Sequence, residues 1–320
     1  MDLLRAFLFR LTVAAFAGLV CTGAWAQTAD PTSQRCLKCH EEQAGILNAL
    51  HGTKADARTP FGSGRGCQAC HGDASAHLAN SKNPVPVKFD AEHSADLKNG
   101  TCLTCHSGGS KRSHWEGSTH QARDVACASC HTVHAPRDKV LTKITQPEVC
   151  FTCHKQQRVE VNRTFRHAIL EGKVACSDCH NPHGSVGPKL MKRDSVVETC
   201  YQCHAEKRGP FVHNHEPVQE DCSNCHNPHG TVADSMLKVR PPFLCHQCHT
   251  PHGGQIAQLT GQPGQLTNLP GATSPLLSAT SSGKSGINYT QGRGCLNCHT
   301  QIHGGNNPSA TNPPAQFMLR

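Results

Sequence analysis

Cys-x-x-Cys-His occurs ten times in this chain of 320 residues, beginning at Cys36, Cys67, Cys102, Cys127, Cys150, Cys176, Cys200, Cys222, Cys245 and Cys295. No other feature limits the fold so strongly. The motif is the attachment signature of c-type haem: two thiols add across the vinyl groups, and the adjacent histidine ligates iron from one face. A zinc site or a thiol redox centre also uses Cys-x-x-Cys, but neither needs a histidine directly after it. A disulfide scaffold would space its cysteines more variably. With the second cysteines (Cys39, Cys70, Cys105, Cys130, Cys153, Cys179, Cys203, Cys225, Cys248 and Cys298) the motifs use twenty of the 21 cysteines. Only Cys21 remains, so no thiol is left for a structural disulfide or a zinc site. The expected cofactors are ten covalently bound haem c groups.

Residues 1–26 read as a cleaved secretory signal peptide, with Arg5 and Arg10, an apolar run from Leu11 to Val20, and Ala24-Trp25-Ala26 as the cleavage site. Cleavage before Gln27 removes Cys21; a lipoprotein reading of Cys21 is opposed by the bulky Val20 before it. Export agrees with haem attachment outside the cytoplasm. No later segment offers the roughly 18 consecutive apolar residues of a membrane helix. The formal charge of +8 falls to +7 when Arg5, Arg10 and Asp2 leave. Ten pairs of haem propionates would bring it to about −13, so lysines and arginines serve better as propionate partners than as a nucleic-acid patch.

Removing 26 residues from 320 leaves about 294, or about 29 per haem, and aromatics are 4%. A protein-only core of ordinary size is out of reach. The expected fold class is therefore a multihaem cytochrome c: short α-helices and irregular loops wrapped around a linear haem array, with little or no β-sheet. The middle of the chain repeats with a period of about 46 to 50 residues. One register is Cys127, Cys176 and Cys222; the other is Cys150, Cys200 and Cys245. Such a unit stacks in series and favours an elongated array. A first pentahaem half over 27–163 and a second over 164–320 follow from the motif count, although the period runs through that boundary without a break.

The proximal ligands expected are His40, His71, His106, His131, His154, His180, His204, His226, His249 and His299. Fourteen further histidines compete for the opposite faces, whereas the mature chain keeps only Met191, Met236 and Met318. Bis-histidine ligation is expected, and it favours lower potentials than His/Met. His134, His183, His229 and His252 each follow a proximal histidine by three residues; His303 follows by four and His77 by six. His120, His167 and His215 lie seven to nine residues before a motif, and His51 follows an apolar stretch. His93, His114, His213 and His246 are left over, with His93 the chief rival because it too lies nine residues before a motif.

Val125–His134 (VACASCHTVH), Cys176–Gly184 (CSDCHNPHG), Thr199–Pro210 (TCYQCHAEKRGP), Asp221–Gly230 (DCSNCHNPHG) and Gly294–Gly304 (GCLNCHTQIHG) resemble the periplasmic decahaem cytochromes of the MtrA/PioA/DmsE type. The likeness covers nearly all of the mature chain. It implies that the ten distal ligands are those just named and favours His252 over His93. It implies a periplasmic protein at or inside an outer-membrane β-barrel porin, the structure able to enclose a polar haem chain in a bilayer. Electrons would pass between periplasmic or inner-membrane cytochromes and the cell exterior, in extracellular metal reduction or iron(II) oxidation, with an outer-surface multihaem cytochrome as a further partner. One departure is the stretch from Gly253 to Tyr289, where Lys284 is the only charge; it reads as a solvated loop or as a contact with the barrel.

Two other functions compete with the conduit. A multihaem reductase would need an iron with an open face, which the surplus of histidines opposes. A soluble periplasmic shuttle would share the haem array but never enter a barrel. The conduit reading makes the chain an electron-transfer protein and not an enzyme, with outer-sphere metal redox available at an exposed terminal haem.

Overall fold

The computed structural model describes residues 30–249, 295–297 and 299–306. The leader, the 253–289 stretch, and two expected site residues, His252 and Cys298, lie outside the described residues. Two compact units are present: one gathers residues 30–103 and 126–138, the other residues 104–125 and those from 139 onward.

Among the described residues there is no strand, and pairing is limited to isolated bridges such as His180 with Met191 and His226 with Leu237. The regular structure is short. In chain order the α-helices are α1 (Pro31–Leu37), α2 (Gln68–His71), α3 (Ser75–Ala79), α4 (Ala95–His106), α5 (Gln146–Cys150), α6 (Lys155–Glu160), α7 (Cys176–Cys179), α8 (Val196–Cys200) and α9 (Glu216–Glu220). Single 3-10 turns carry the starts of the motifs at Cys127, Cys222, Cys245 and Cys295. The sequence marks many starts. Asp30 accepts from the N–H groups of Thr32 and Ser33, each at 3.0 Å, with Pro31 at the first helical position of α1. Ser195 caps α8 through the Glu198 N–H at 3.1 Å.

Each motif is one helical turn. The histidine N–H reaches back to the carbonyl of the first cysteine at 2.9–3.1 Å in the motifs starting at Cys36, Cys67, Cys127, Cys150, Cys176, Cys200, Cys222, Cys245 and Cys295; the motif at Cys102 lies inside α4. In such a turn, residues three and four apart share a face. Both sulfurs and the imidazole therefore project to one side of the backbone.

The apolar core is small. Ile46 and Phe61 form one cluster, flanked by Leu37, Leu47 and Cys67; Phe151, Val161 and Ile169 form another against Val174. Buried polar side chains tie motifs to one another instead. The Ser33 hydroxyl accepts the Cys67 N–H at 3.3 Å, Asn99 Oδ1 accepts the Cys127 N–H at 2.7 Å, and Gln146 Oε1 accepts the Ser177 N–H at 2.9 Å. Each lies three or four residues before an odd-numbered motif and grips the start of the following even-numbered one.

Candidate haem-binding sites

Seven proximal histidines stand opposite a second histidine at almost the same distance. Ring centroids are 6.2 Å apart for His40–His77, His71–His134, His120–His154, His167–His204 and His180–His229, 6.0 Å for His215–His249 and 6.1 Å for His226–His303. Two metal–imidazole bonds of about 2 Å, with about 1.1 Å from each bonding nitrogen to its ring centre, span about 6.2 Å. Direct stacking would bring the rings closer. The residues thus fit an iron held between two imidazoles. The buried Arg166 Nε and Ser185 Oγ have no protein partner, and Ser185 lines a polar cavity of about 280 Å³ with His114, Ser118 and Lys189. Haem propionates are the acceptors such donors want.

The pairing follows a rule that the sequence reading had not reached. Histidines just after an even-numbered motif reach back: His77 to His40, His134 to His71, His229 to His180, His303 to His226. Histidines just before one reach forward over it: His120 to His154, His167 to His204, His215 to His249. His51 lies within electrostatic reach of His131 and Asp138. His183 packs edge-on to Trp115 at 6.3 Å. Among the leftovers, His93 bonds Asp90 at 2.6 Å, His213 makes a backbone bridge to Gly305, and His114 and His246 are exposed.

Burial pushes His51, His134, His180, His215 and His303 below the usual imidazole value. The neutral ring is the form that donates a lone pair to a metal. The second ring nitrogen is oriented as well. Nδ1 of His71, His77, His120, His167, His180 and His226 donates to the carbonyls of Val87, Asn83, Pro182, Pro228, Lys189 and Ser235 at 2.7–3.1 Å. Two others meet carboxylates: His131 with Asp138 at 2.6 Å and His229 with Glu160 at 3.2 Å. The sequence reading singled out none of these acceptors. A carbonyl leaves no mark in a sequence, and an isolated acid looks like any surface residue.

The thiols of consecutive motifs also meet. The first cysteines of successive odd and even motifs are close neighbours: Cys36 and Cys67, Cys102 and Cys127, Cys150 and Cys176, Cys200 and Cys222, and Cys245 and Cys295. The second cysteine of an even motif lies near the next odd one, as for Cys70 and Cys102, Cys179 and Cys200, and Cys225 and Cys248. Within each unit, motifs are therefore neighbours in chain order.

Short helices, loops and serial Cys-x-x-Cys-His turns define a multihaem c-type cytochrome, an electron-transfer protein with covalently bound haem. Residues 167–209 and 215–265 match the doubled CXXCH motif, residues 67–146 the family of cytochrome c-type protein NrfB-like chains, and residues 22–72 the family of cytochrome c554 and c-prime. The chain is 42% identical to multiheme cytochrome MtrA of Shewanella baltica over 279 residues, covering 86% of this chain and 78% of that protein. It belongs to the MtrA family of multihaem cytochromes. Cytochrome c-type protein NrfB of Escherichia coli is 28% identical over 131 residues, covering 40% of this chain and 68% of NrfB; that of Haemophilus influenzae is 29% identical over 156 residues, covering 40% and 67%.

Proposed function

We propose that this cytochrome is a periplasmic conduit of ten haems, five within 27–163 and five within 164–320, that passes electrons to or from the cell exterior through an outer-membrane β-barrel porin. The twenty motif cysteines attach the haems. The proximal histidines His40, His71, His106, His131, His154, His180, His204, His226, His249 and His299 bind one face of each iron. His51, His77, His120, His134, His167, His183, His215, His229, His252 and His303 bind the other. The haem supplies the one-electron couple; the protein saturates the iron, orients the imidazoles and spaces the sites. The observation that carries the reading is the recurrence of one histidine–histidine spacing. Saturated irons exchange electrons but bind no substrate, and motifs that are neighbours in chain order offer a path. Among the described residues no helix is long and apolar enough to cross a membrane.

Two measurements test this. Haem content and electron paramagnetic resonance of the oxidised protein are expected to give ten haems per chain with no high-spin signal. Fractionation is expected to recover the cytochrome with an outer-membrane porin. Recovery free in the periplasm would instead favour a shuttle.

A further inference from the structure

We propose that Asp138 and Glu160 are positioning residues that lower the reduction potentials of two interior sites, the one that His131 binds and the one formed by His180 and His229. The inference rests on the bis-histidine reading above.

These two acids differ from the carbonyls and the exposed acids that meet other described ligand rings. Most oriented rings donate Nδ1–H to a neutral backbone carbonyl. Glu42 and Glu206 approach His40 and His204 only to 3.8 and 3.7 Å, and both are about two-thirds exposed (65% and 60%). Asp138, 15% exposed, meets His131 Nδ1 at 2.6 Å. Its other oxygen faces the N–H and hydroxyl of Thr132, each at 3.3 Å. Glu160, 9% exposed, meets His229 Nδ1 at 3.2 Å. Its other oxygen accepts from Gln156 Nε2 at 3.1 Å, within α6. Both carboxylates are thus held in place by a second contact and poorly screened by water.

A carboxylate accepting the Nδ1–H shifts negative charge onto the ring and makes Nε2 a stronger donor. A stronger, more anionic ligand favours ferric over ferrous iron and lowers the potential, and low dielectric enlarges the effect. A neutral carbonyl in the same place does less. One electron reaches such a site from its neighbour and leaves for the next; no bond forms or breaks, and no proton moves. The two sites belong to the fourth and sixth motifs of ten. Lower potentials there keep electrons from resting in the middle of the series and leave the reduced population nearer its ends.

The test uses the haem-loaded protein, with Asp138→Asn and Glu160→Gln, at one fixed pH. Potentiometric titration is read by visible absorption and by electron paramagnetic resonance. In the unaltered protein two haems are expected to titrate below the rest, with a smaller largest g value, as ring anionic character produces. Each variant is expected to move one haem upward by about tenfold in its ferrous-to-ferric ratio, about 59 mV for a one-electron couple, and to leave the others in place. Asp138→Glu is expected to restore much of the original midpoint. Ten low-spin haems whose midpoints stay unmoved in both variants would overturn the inference alone. Fewer than ten haems in the unaltered protein, or a high-spin population there, would overturn the bis-histidine reading and the inference together. If a variant fails to load, the unaltered protein decides: a single unresolved cluster of midpoints with one set of g values overturns the proposal.

Discussion

Replacing His120 with alanine tests the pairing rule where its signature is strongest. His120 and His154 have centroids 6.2 Å apart and ring planes at 85°, whereas the planes of His71–His134, His180–His229 and His226–His303 lie within 14–23° of parallel. Crossed imidazoles keep two iron d-orbitals nearly degenerate and give a low-spin signal with a very large g value; near-parallel rings split them and give a rhombic one. His120 is held by one strong contact, Nδ1–H to the Pro182 carbonyl at 2.7 Å. Losing that bond costs about 1 kcal/mol, too little to unfold a chain stapled by Cys150, Cys153 and His154 at the same site. The haem is therefore expected to stay attached while its open face takes water. One iron in ten should become high-spin, and the large-g signal should lose one iron's intensity while the rhombic signals keep theirs. Added imidazole should reverse both changes. The assay is spin quantitation against haem content on oxidised protein. Ten haems that all remain low-spin would refute the reasoning, because another donor would then have to stand opposite His154.

Three further outcomes follow from local geometry. Asp30→Ala should cost about 1 kcal/mol as a lost cap, read as faster amide exchange at Thr32 and Ser33. Burial works against the Asp30 charge, but hydrogen bonds from the Ser33 side chain and the Ser33 and Thr32 N–H groups outweigh it and hold its carboxyl below 3.8. A depressed carboxyl stabilises the fold above its unfolded value and loses that contribution as pH falls through the folded one, so the difference between Asp30→Ala and the parent should vanish in strong acid. Gly184→Ala should destabilise by about 1–3 kcal/mol, since Gly184 has φ +109° and a Cβ there would strike the His114 carbonyl; Gly100→Ala, inside α4 with open space around it, should stabilise by about 0.5–1 kcal/mol in the same thermal melts. Asn99→Leu should cost about 1–3 kcal/mol by leaving the Cys127 N–H without its acceptor, and haem loading at Cys127 should fall more than at Cys36.

Some of this was legible in the sequence because covalent chemistry writes it there. The motif names the proximal histidine by adjacency, and the sparse aromatics announce a fold of short helices. The histidines that face another ring were visible as positions relative to a motif, since the repeat puts His134 and His229 in one register and His120 and His167 in another. Which ring each one faces was not legible. His134 and His71 are 63 residues apart, and only the folded path of the chain decides that one histidine reaches back and another forward. The ties made by Ser33, Asn99 and Gln146 were equally hidden. Each is an ordinary polar residue whose meaning lies in a backbone N–H 31 to 34 residues away in two cases and 28 in the third.

The duplicated His-Asn-Pro-His-Gly loops show how little chain each site needs. In the copy at 226–230, His226 faces His303, His229 faces His180, and the Pro228 carbonyl fixes His167, which faces His204. Five residues thus act on three sites. The copy at 180–184 interlocks with it: His180 faces His229, and the Pro182 carbonyl fixes His120. Each loop is braced alike. Asn181 and Asn227 receive the N–H of His183 and His229, and their own N–H groups donate to Leu190 and Met236. Left-handed residues at Lys189–Leu190 and Ser235–Met236 then aim a carbonyl at the Nδ1 of His180 and His226. Because a histidine of one copy completes the site begun by the other, neither copy can hold its full set of pairs alone. This physical coupling lets a chain with almost no apolar core keep its sites in register.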